Sequence, residues 1–242
     1  MAGPWVKRGT LRDMLLPSGI DLLKEYRIGL DGAKNVIDVV EHVFRNEGLS
    51  RNAAAAAVVN AFVESRLDPS MEQVGGAGGV GLFQITGNGP GKGTKLQRKD
   101  PIFNATYIAR NELAKSAFGY AFREADKAGS DIPTLTKIFA RDIERCACCG
   151  YPHVFERGEE RTIRRTTLSK SCKGNKTLER DARVKLSKVL FPKSVTDKHG
   201  AEAADLSVRL GADDTSGFPW GSLLVATGTL LVVAGIEYRK GV

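Results

Sequence analysis

The first residues of the chain lack the long apolar run of a secretory signal peptide. Lys7, Arg8 and Arg12 precede a short apolar stretch, Met14–Leu16, and Pro17 then ends it. A signal peptide needs an apolar core of about 7–15 residues. We therefore expect no export by this route, and the four cysteines cannot be assumed to be oxidised.

Aromatic residues are missing from the most basic segment of the chain, residues 157–170. Nucleic-acid-binding surfaces combine basic and aromatic side chains on a recognisable fold, so we expect no specific nucleic-acid partner. The net charge is nevertheless +8, and 23 Lys/Arg stand against 12 Asp/Glu between Thr86 and Lys193. This excess favours an acidic partner such as a cell-wall polymer or an anionic membrane surface, although a solvated basic face explains the same charge.

One long uncharged run lies near the other end of the chain. The 22 residues between Asp214 and Glu237 carry no charge, and Trp220 and Tyr238 lie near its two ends. As a helix they would span about 33 Å, enough for the hydrocarbon core of about 30 Å. We expect a transmembrane helix over 219–238, and the alternative is a buried helix or hairpin of a soluble core.

Apolar residues at helical spacing occupy much of the remaining chain, and no internal repeat is present. The pattern predicts a lead-in over 1–34, a mainly all-α domain over 35–191 and a polar linker over 192–218. Ser50 is a suitable N-cap for an Ala-rich helix, and the Gly-rich stretch from Gly75 to Gly93 indicates a loop. Helices are predicted over residues 35–46, 51–65, 101–128, 133–145 and 178–190.

The Ala-rich helix ends with a carboxylate. Glu64 follows Ala61, Phe62 and Val63, and the Gly-rich loop then leads into Gly81–Gln84. Partial burial on an apolar helix end keeps a carboxylic acid protonated near neutral pH, as a general acid at a glycosidic oxygen requires. A glutamate near a helix end is commonly a solvated surface residue. The close-packed turn with an amide side chain is what favours a site for cleaving a glycosidic bond.

The stretch from Ala53 to Thr86 resembles the phage tail or virion-associated lysozyme group of the lysozyme-like superfamily, to which lytic transglycosylases also belong. In that group Glu-Ser, a Pro four or five residues later and Gly-Leu-x-Gln recur in this order. Val154–Arg157 is a weaker second match, and the resemblance covers about residues 35–170. The matching positions are Ala55, Ala56, Asn60, Glu64, Ser65, Leu67, Pro69, Gly81, Leu82 and Gln84.

The resemblance implies roles for individual residues. Glu64 is expected to protonate the leaving glycosidic oxygen. Gln84 and the backbone of Gly81 to Phe83 are expected to line the groove beside the scissile bond. Ser65 is expected to orient the surroundings of Glu64, although a serine at a helix end needs no such role.

The motif lacks a well-placed second carboxylate. Glu72, in the loop after the helix, is the candidate for a base that activates water. With one acid only, the expected chemistry is that of a lytic transglycosylase, which closes an anhydro ring on the sugar's own hydroxyl. Hydrolysis and transglycosylation therefore both stay open at this point.

The cysteines are concentrated in one part of the chain. Cys146, Cys148 and Cys149 lie within four residues, His153 follows, and Cys172 lies 23 residues after Cys149. Cys146, Cys149, His153 and Cys172 are candidate ligands of a structural zinc ion, but a second Cys-x-x-Cys pair is absent. A disulfide to Cys172 and free thiols are the alternatives. No cofactor is expected for catalysis.

These features predict a lysozyme-like domain with a Gly-rich active-site loop, anchored by a C-terminal transmembrane helix. The expected function is cleavage of the β-1,4 glycan strand of peptidoglycan. The resemblance and the anchor together suggest a virion protein, held in a viral internal membrane or the ejection apparatus among other virion proteins. It would act on the host envelope during genome ejection. The alternative is a catalytically inactive, membrane-anchored virion protein that binds the cell wall.

Overall fold

The computed structural model describes residues 10–73, 78–87, 91–145, 149–156, 158–163 and 177–194. The chain divides into two units, Met1–Asp197 and Lys198–Val242, and the second lies outside the described residues. So do the transmembrane helix predicted over 219–238 and, apart from residues 192–194, the predicted linker. Within the described ranges, no helix combines the length and the apolar character needed to cross a membrane.

The described part of the first unit is mainly helical, which confirms the predicted all-α class. Helices occur in all five predicted regions, although their limits and continuity differ in places. In chain order the elements are a 3₁₀ turn (Leu11–Met14), α1 (Pro17–Glu25), α2 (Leu30–Asn46), α3 (Arg51–Ser65), α4 (Lys95–Arg98), α5 (Pro101–Tyr107), a π-helical segment (Ile108–Lys115), a 3₁₀ turn (Ala117–Gly119), α6 (Tyr120–Lys127), α7 (Ile132–Ile138), a second π-helical segment (Phe139–Glu144), strands β1 (His153–Glu156) and β2 (Glu159–Thr162), and α8 (Leu178–Leu190).

Helix α3 is the central element of the fold. Ser50 caps it, because its Oγ accepts a hydrogen bond from the Ala53 N–H at 3.1 Å. The five alanines at 53–57 are fully buried, and α2, α7 and α8 all contact α3. Small side chains let these helices approach closely, so the end of α3 that carries Glu64 is held rigidly among its neighbours.

The helix predicted over 101–128 is interrupted in the structure. Ser116 has extended backbone geometry, and its Oγ accepts a hydrogen bond from Phe118 N. Gly119 allows the chain to fold back closely here, because a Cβ at this position would lie 2.2 Å from the Leu113 carbonyl oxygen. The preceding segment is π-helical, a winding that commonly marks functional positions.

The strands form an antiparallel hairpin in which His153 pairs with Thr162. Phe155 stacks on Tyr120 with ring centroids 3.9 Å apart. The buried Asp142 carboxylate accepts a hydrogen bond from the His153 backbone N–H at 2.8 Å. The hairpin is therefore joined to the second π-helical segment.

The predicted lead-in contains α1, which lies beside α8. Leu16 N donates to the Leu190 carbonyl at 2.9 Å, and Ser18 Oγ donates to the Val189 carbonyl at 2.9 Å. Both helices also contact other elements of the core. The two ends of the domain are thus packed against each other and against α3 or α2.

Candidate active site

Glu64 lies in the last turn of α3, where its side chain is 22% exposed. Arg66 ends the helix with a left-handed backbone conformation, φ 56°. The Glu64 carboxylate accepts a hydrogen bond from Arg183 Nη2 at 2.5 Å. Glu64 is thus half-buried and held by a cation from α8.

Glu64 lines a cleft of about 360 Å³. Of the other residues predicted for the site, Phe83 and Gln84 also line this cleft, whereas Ser65, Gly81 and Glu72 do not. Further carboxylates in the cleft are Glu112, Glu144 and Glu179. The structure therefore brings the predicted acid and the predicted amide together, and adds carboxylates from distant parts of the chain.

The Gly-rich turn is shaped by close backbone approaches. Gly81 has φ 85°, and a Cβ there would lie 2.1 Å from both the Arg98 carbonyl oxygen and Asn104 Nδ2. Gln84 also has a left-handed backbone, φ 46°, and its Nε2 donates to the Gly81 carbonyl at 2.8 Å. Its Oε1 is buried without a hydrogen-bond partner among the described residues. The turn thus fixes the orientation of the amide.

Asn104 of α5 holds this turn in place. Its Oδ1 accepts a hydrogen bond from Phe83 N at 3.0 Å, and its Nδ2 donates to the Val80 and Arg98 carbonyls at 3.2 and 2.8 Å. Asn104 is fully buried. It satisfies the Phe83 N–H and the Arg98 carbonyl and is a second partner of the Val80 carbonyl, which also accepts from Ile85 N. The sequence pattern contained no signal for this role.

Glu144 is the carboxylate that sequence reasoning missed. It ends the second π-helical segment and lines the cleft with Glu64. Burial raises its pKa well above the ordinary value, and the charge of Glu64 raises it further. Its Oε1 is buried and has no hydrogen-bond partner among the residues that the structure describes. The cleft therefore contains a carboxylic acid that keeps its proton at pH values where an ordinary glutamate loses it.

A family model described as phage tail lysozyme matches residues 34–161, about half of the chain. The chain belongs to the phage tail lysozyme family. Comparison with curated proteins and with solved structures gave no match. The family match confirms the resemblance drawn from the Glu64 segment. It includes α3, the Gly-rich turn and Glu144, and it excludes α1 and α8.

Glu72 lies apart from the cleft of this phage tail lysozyme family member. Its carboxylate forms ion pairs with Lys95 and Lys99, each at 2.6 Å. Hydrogen bonds from these two lysines lower the pKa of Glu72 to about 2. Its backbone pairs with Val80. In this structure Glu72 links the Gly-rich loop to the α4 region instead of facing Glu64 across the cleft.

Ser65 and Gly81 support the site through contacts outside the cleft. Ser65 is buried, and its Oγ donates to the Ala61 carbonyl at 2.9 Å, as serines within helices commonly do. Gly81 contributes through its lack of a side chain, which lets Asn104 and Arg98 approach the turn. Neither residue presents a side chain to the cleft.

Cys149 forms a disulfide, so its sulfur is not a zinc thiolate in this structure. Cys146 and Cys172, the other predicted cysteine ligands, lie outside the described residues. His153 Nδ1 lies 2.7 Å from Glu160 Oε1 across the hairpin. Among the described residues, no group of three or more potential metal ligands occurs. The disulfide thus removes the Cys149 thiolate from the predicted zinc ligands, and the predicted bond to Cys172 lies outside the described residues.

Proposed function

We propose that this phage tail lysozyme family member cleaves the β-1,4 glycan strand of peptidoglycan. The observation that carries the proposal is the cleft in which Glu64 and Glu144 occur together beside Gln84. Paired carboxylates beside an open groove are the arrangement that glycosidic bond cleavage uses. The family description supports the same chemistry and the same substrate.

Glu64 and Glu144 act as a pair in this mechanism. Burial, and then the charge of Glu64, raise the pKa of Glu144, so a carboxyl that holds its proton more tightly than an ordinary glutamate lies in the same cleft as Glu64. Glu64, at the end of α3, receives the proton held by Glu144 as the glycosidic bond breaks and passes it to the leaving oxygen.

The turn at Gln84 supplies the groove beside the scissile bond. The buried oxygens of Gln84 and Glu144 both lack a hydrogen-bond partner among the described residues. Buried polar atoms of this kind are costly unless a partner arrives. Sugar hydroxyl and N-acetyl groups supply suitable donors, so substrate binding satisfies these atoms.

The reaction ends in one of two ways. Hydrolysis requires an ionised carboxylate that activates water, and Glu112 and Glu179 lie in the same cleft for that role. Transglycosylation needs no second carboxylate, because the sugar's own hydroxyl closes the ring and gives its proton to Glu64, which the first proton transfer leaves ionised. Glu72, tied to two lysines outside the cleft, is not assigned the base role here.

We place this activity in a virion during genome ejection, when the wall of the host must be opened locally. The tail lysozyme family supports association with a phage particle. The uncharged run at 215–236 supports a membrane anchor by its length and composition. Peptidoglycan, a membrane and other virion proteins are the partners that this proposal implies.

The test is loss of turbidity and product mass on purified peptidoglycan, using the full chain and its Glu64→Gln variant. We expect the variant to lose at least about 100-fold in rate, the lower range for a positioned general acid. Glu124→Gln is the matched control, because Glu124 forms a surface ion pair with Lys127 on α6. Reducing ends indicate hydrolysis, and anhydro ends indicate transglycosylation. A folded parent chain without activity contradicts the proposal and favours a wall-binding virion protein.

A further inference from the structure

Arg183 reaches the site from outside the family-matched segment. It belongs to α8, whereas the match ends at residue 161. Its side chain is only 4% exposed. Burying a guanidinium is costly unless its charge and its N–H groups find partners, so this placement needs an explanation in the contacts that it makes.

The guanidinium bridges two residues that lie one turn apart on α3. Nη2 donates to Glu64 Oε1 at 2.5 Å, and Nη1 donates to Asn60 Oδ1 at 2.9 Å. Asn60 is itself fixed, since it is fully buried and its Nδ2 donates to the Ala56 carbonyl at 2.8 Å. The planar fork of arginine therefore ties the Glu64 carboxylate to a rigid point on the same helix.

We infer that Arg183 is a positioning residue that holds the Glu64 carboxylate at the cleft and balances the negative charge of the Glu64–Glu144 pair. This inference rests on the proposed glycosidase function. It makes α8 part of the active site, although α8 lies beyond residues 34–161, which the family model matches. A carboxylate with free rotamers would lose the alignment on which proton transfer depends.

The charges around Glu144 give this role a measurable signature. Glu144 faces Glu64 from α3, Glu112 from the first π-helical segment, its neighbour Arg145 and Arg183 from α8. The two glutamates raise the pKa of Glu144, and the two arginines lower it. Removing the guanidinium therefore moves the pKa of Glu144 upward. Glu144 then keeps its proton to higher pH.

The experiment compares the full chain with Arg183→Met and Arg183→Lys on soluble peptidoglycan glycan strands. For Arg183→Met we expect kcat to fall about 10- to 100-fold with little change in KM. The alkaline limb of the pH profile should move to higher pH. Arg183→Lys keeps the charge but not the fork, so the limb should stay near that of the parent while kcat falls less.

Arg180→Met is the matched control, since Arg180 lies on the same helix and pairs with Asp181 outside the cleft. Carbon-13 NMR titration of the Glu144 carboxyl adds a reading that is independent of activity. We expect an upward shift in Arg183→Met and a smaller one in Arg183→Lys. If Arg183→Met does not fold, the kcat of Arg183→Lys alone tests the positioning role.

Different failures have different meanings. An inactive parent chain contradicts the proposed function. An active parent with unchanged kcat in both Arg183 variants overturns the positioning role. Loss of stability in Arg183→Met without any movement of the pH limb or of the Glu144 titration shows that Arg183 only joins α8 to α3, and it overturns the inference as well.

Discussion

Two carboxylates on this chain differ sharply in how far a sequence can identify them. Glu64 stands in a motif with Ser65, Pro69 and the Gly-rich turn, so its place at a helix end beside a loop was predictable. Glu144 lies about 80 residues later in a helical stretch with arginines on either side, a pattern typical of a solvated surface. Only the packing of α7 and its π-helical extension against α3 brings it to the cleft. Long-range contacts of this kind leave no local signal.

The Glu144 proton has a consequence for activity. We expect Glu144→Gln to lower the rate of peptidoglycan cleavage by about 100-fold, because the cleft then lacks the carboxyl that holds the transferred proton beside Glu64. Glu72→Gln is the matched control, since Glu72 pairs with lysines outside the cleft. Equal activity of both variants and the parent would remove Glu144 from the mechanism.

The same two variants should differ in the pH dependence of their stability. The raised pKa of Glu144 means that the folded chain binds this proton more tightly than the unfolded chain. Its contribution to stability is present below about pH 4.5 and is lost as pH rises through the raised pKa. Glu72 behaves oppositely: its lowered pKa gives stability above about pH 4.5 that is lost as pH falls towards about 2. The Tm of Glu144→Gln, relative to that of the parent, should therefore rise as the pH increases. The Tm of Glu72→Gln should lie below that of the parent above about pH 4.5 and approach it as the pH falls towards about 2.

At the scale of elements, periodicity predicted where helices occur but not how they are wound. The segments after Pro101 and Ile132 begin as α-helices with Asp caps and continue as π-helices. The apolar spacing that indicates a helix does not separate these windings over so few residues. The helix α1 was also missed, because its apolar residues are few and its partner α8 lies at the far end of the domain. Tertiary packing decides both features.

The Gly-rich turn depends on Asn104 more than on its own sequence. We expect Asn104→Ala to lower the free energy of unfolding by about 2–3 kcal/mol, because Phe83 N and the Arg98 carbonyl lose the hydrogen bonds that Asn104 makes to them, and the Val80 carbonyl keeps only its bond from Ile85 N. Activity should fall too, since the turn positions Gln84. Urea-induced unfolding measures the free energy of unfolding. Asn46→Ala at the exposed end of α2 is the control and should change it by less than about 0.5 kcal/mol. A change of less than about 0.5 kcal/mol in Asn104→Ala as well would show that the turn is stable without the hydrogen bonds from Asn104.

At the scale of the whole domain, the chain segments on either side of the family-matched region close the fold. The end of α8 is tied to α1 through Leu190, and Ile132 N donates to the Lys193 carbonyl at 3.0 Å where α7 begins. Phe191 is fully buried in the core between these ends. The position of Arg183, in the middle of α8, and with it that of Glu64, thus depends on packing at the C-terminal end of α8. A sequence motif centred on Glu64 contains no information about this dependence.

Phe191→Ala tests that coupling between packing and site. We expect the free energy of unfolding to fall by about 3–4 kcal/mol, because the change removes a buried ring and leaves a cavity. The rate of peptidoglycan cleavage should also fall at temperatures where circular dichroism still reports a folded chain, since a loosened α8 no longer holds Arg183 against Glu64. Leu96→Ala is the control: Leu96 is 80% exposed, and its loss should leave both quantities nearly unchanged. If Phe191→Ala is destabilised but fully active below its Tm, the cleft is set by the family-matched segment alone, and α8 contributes only to stability.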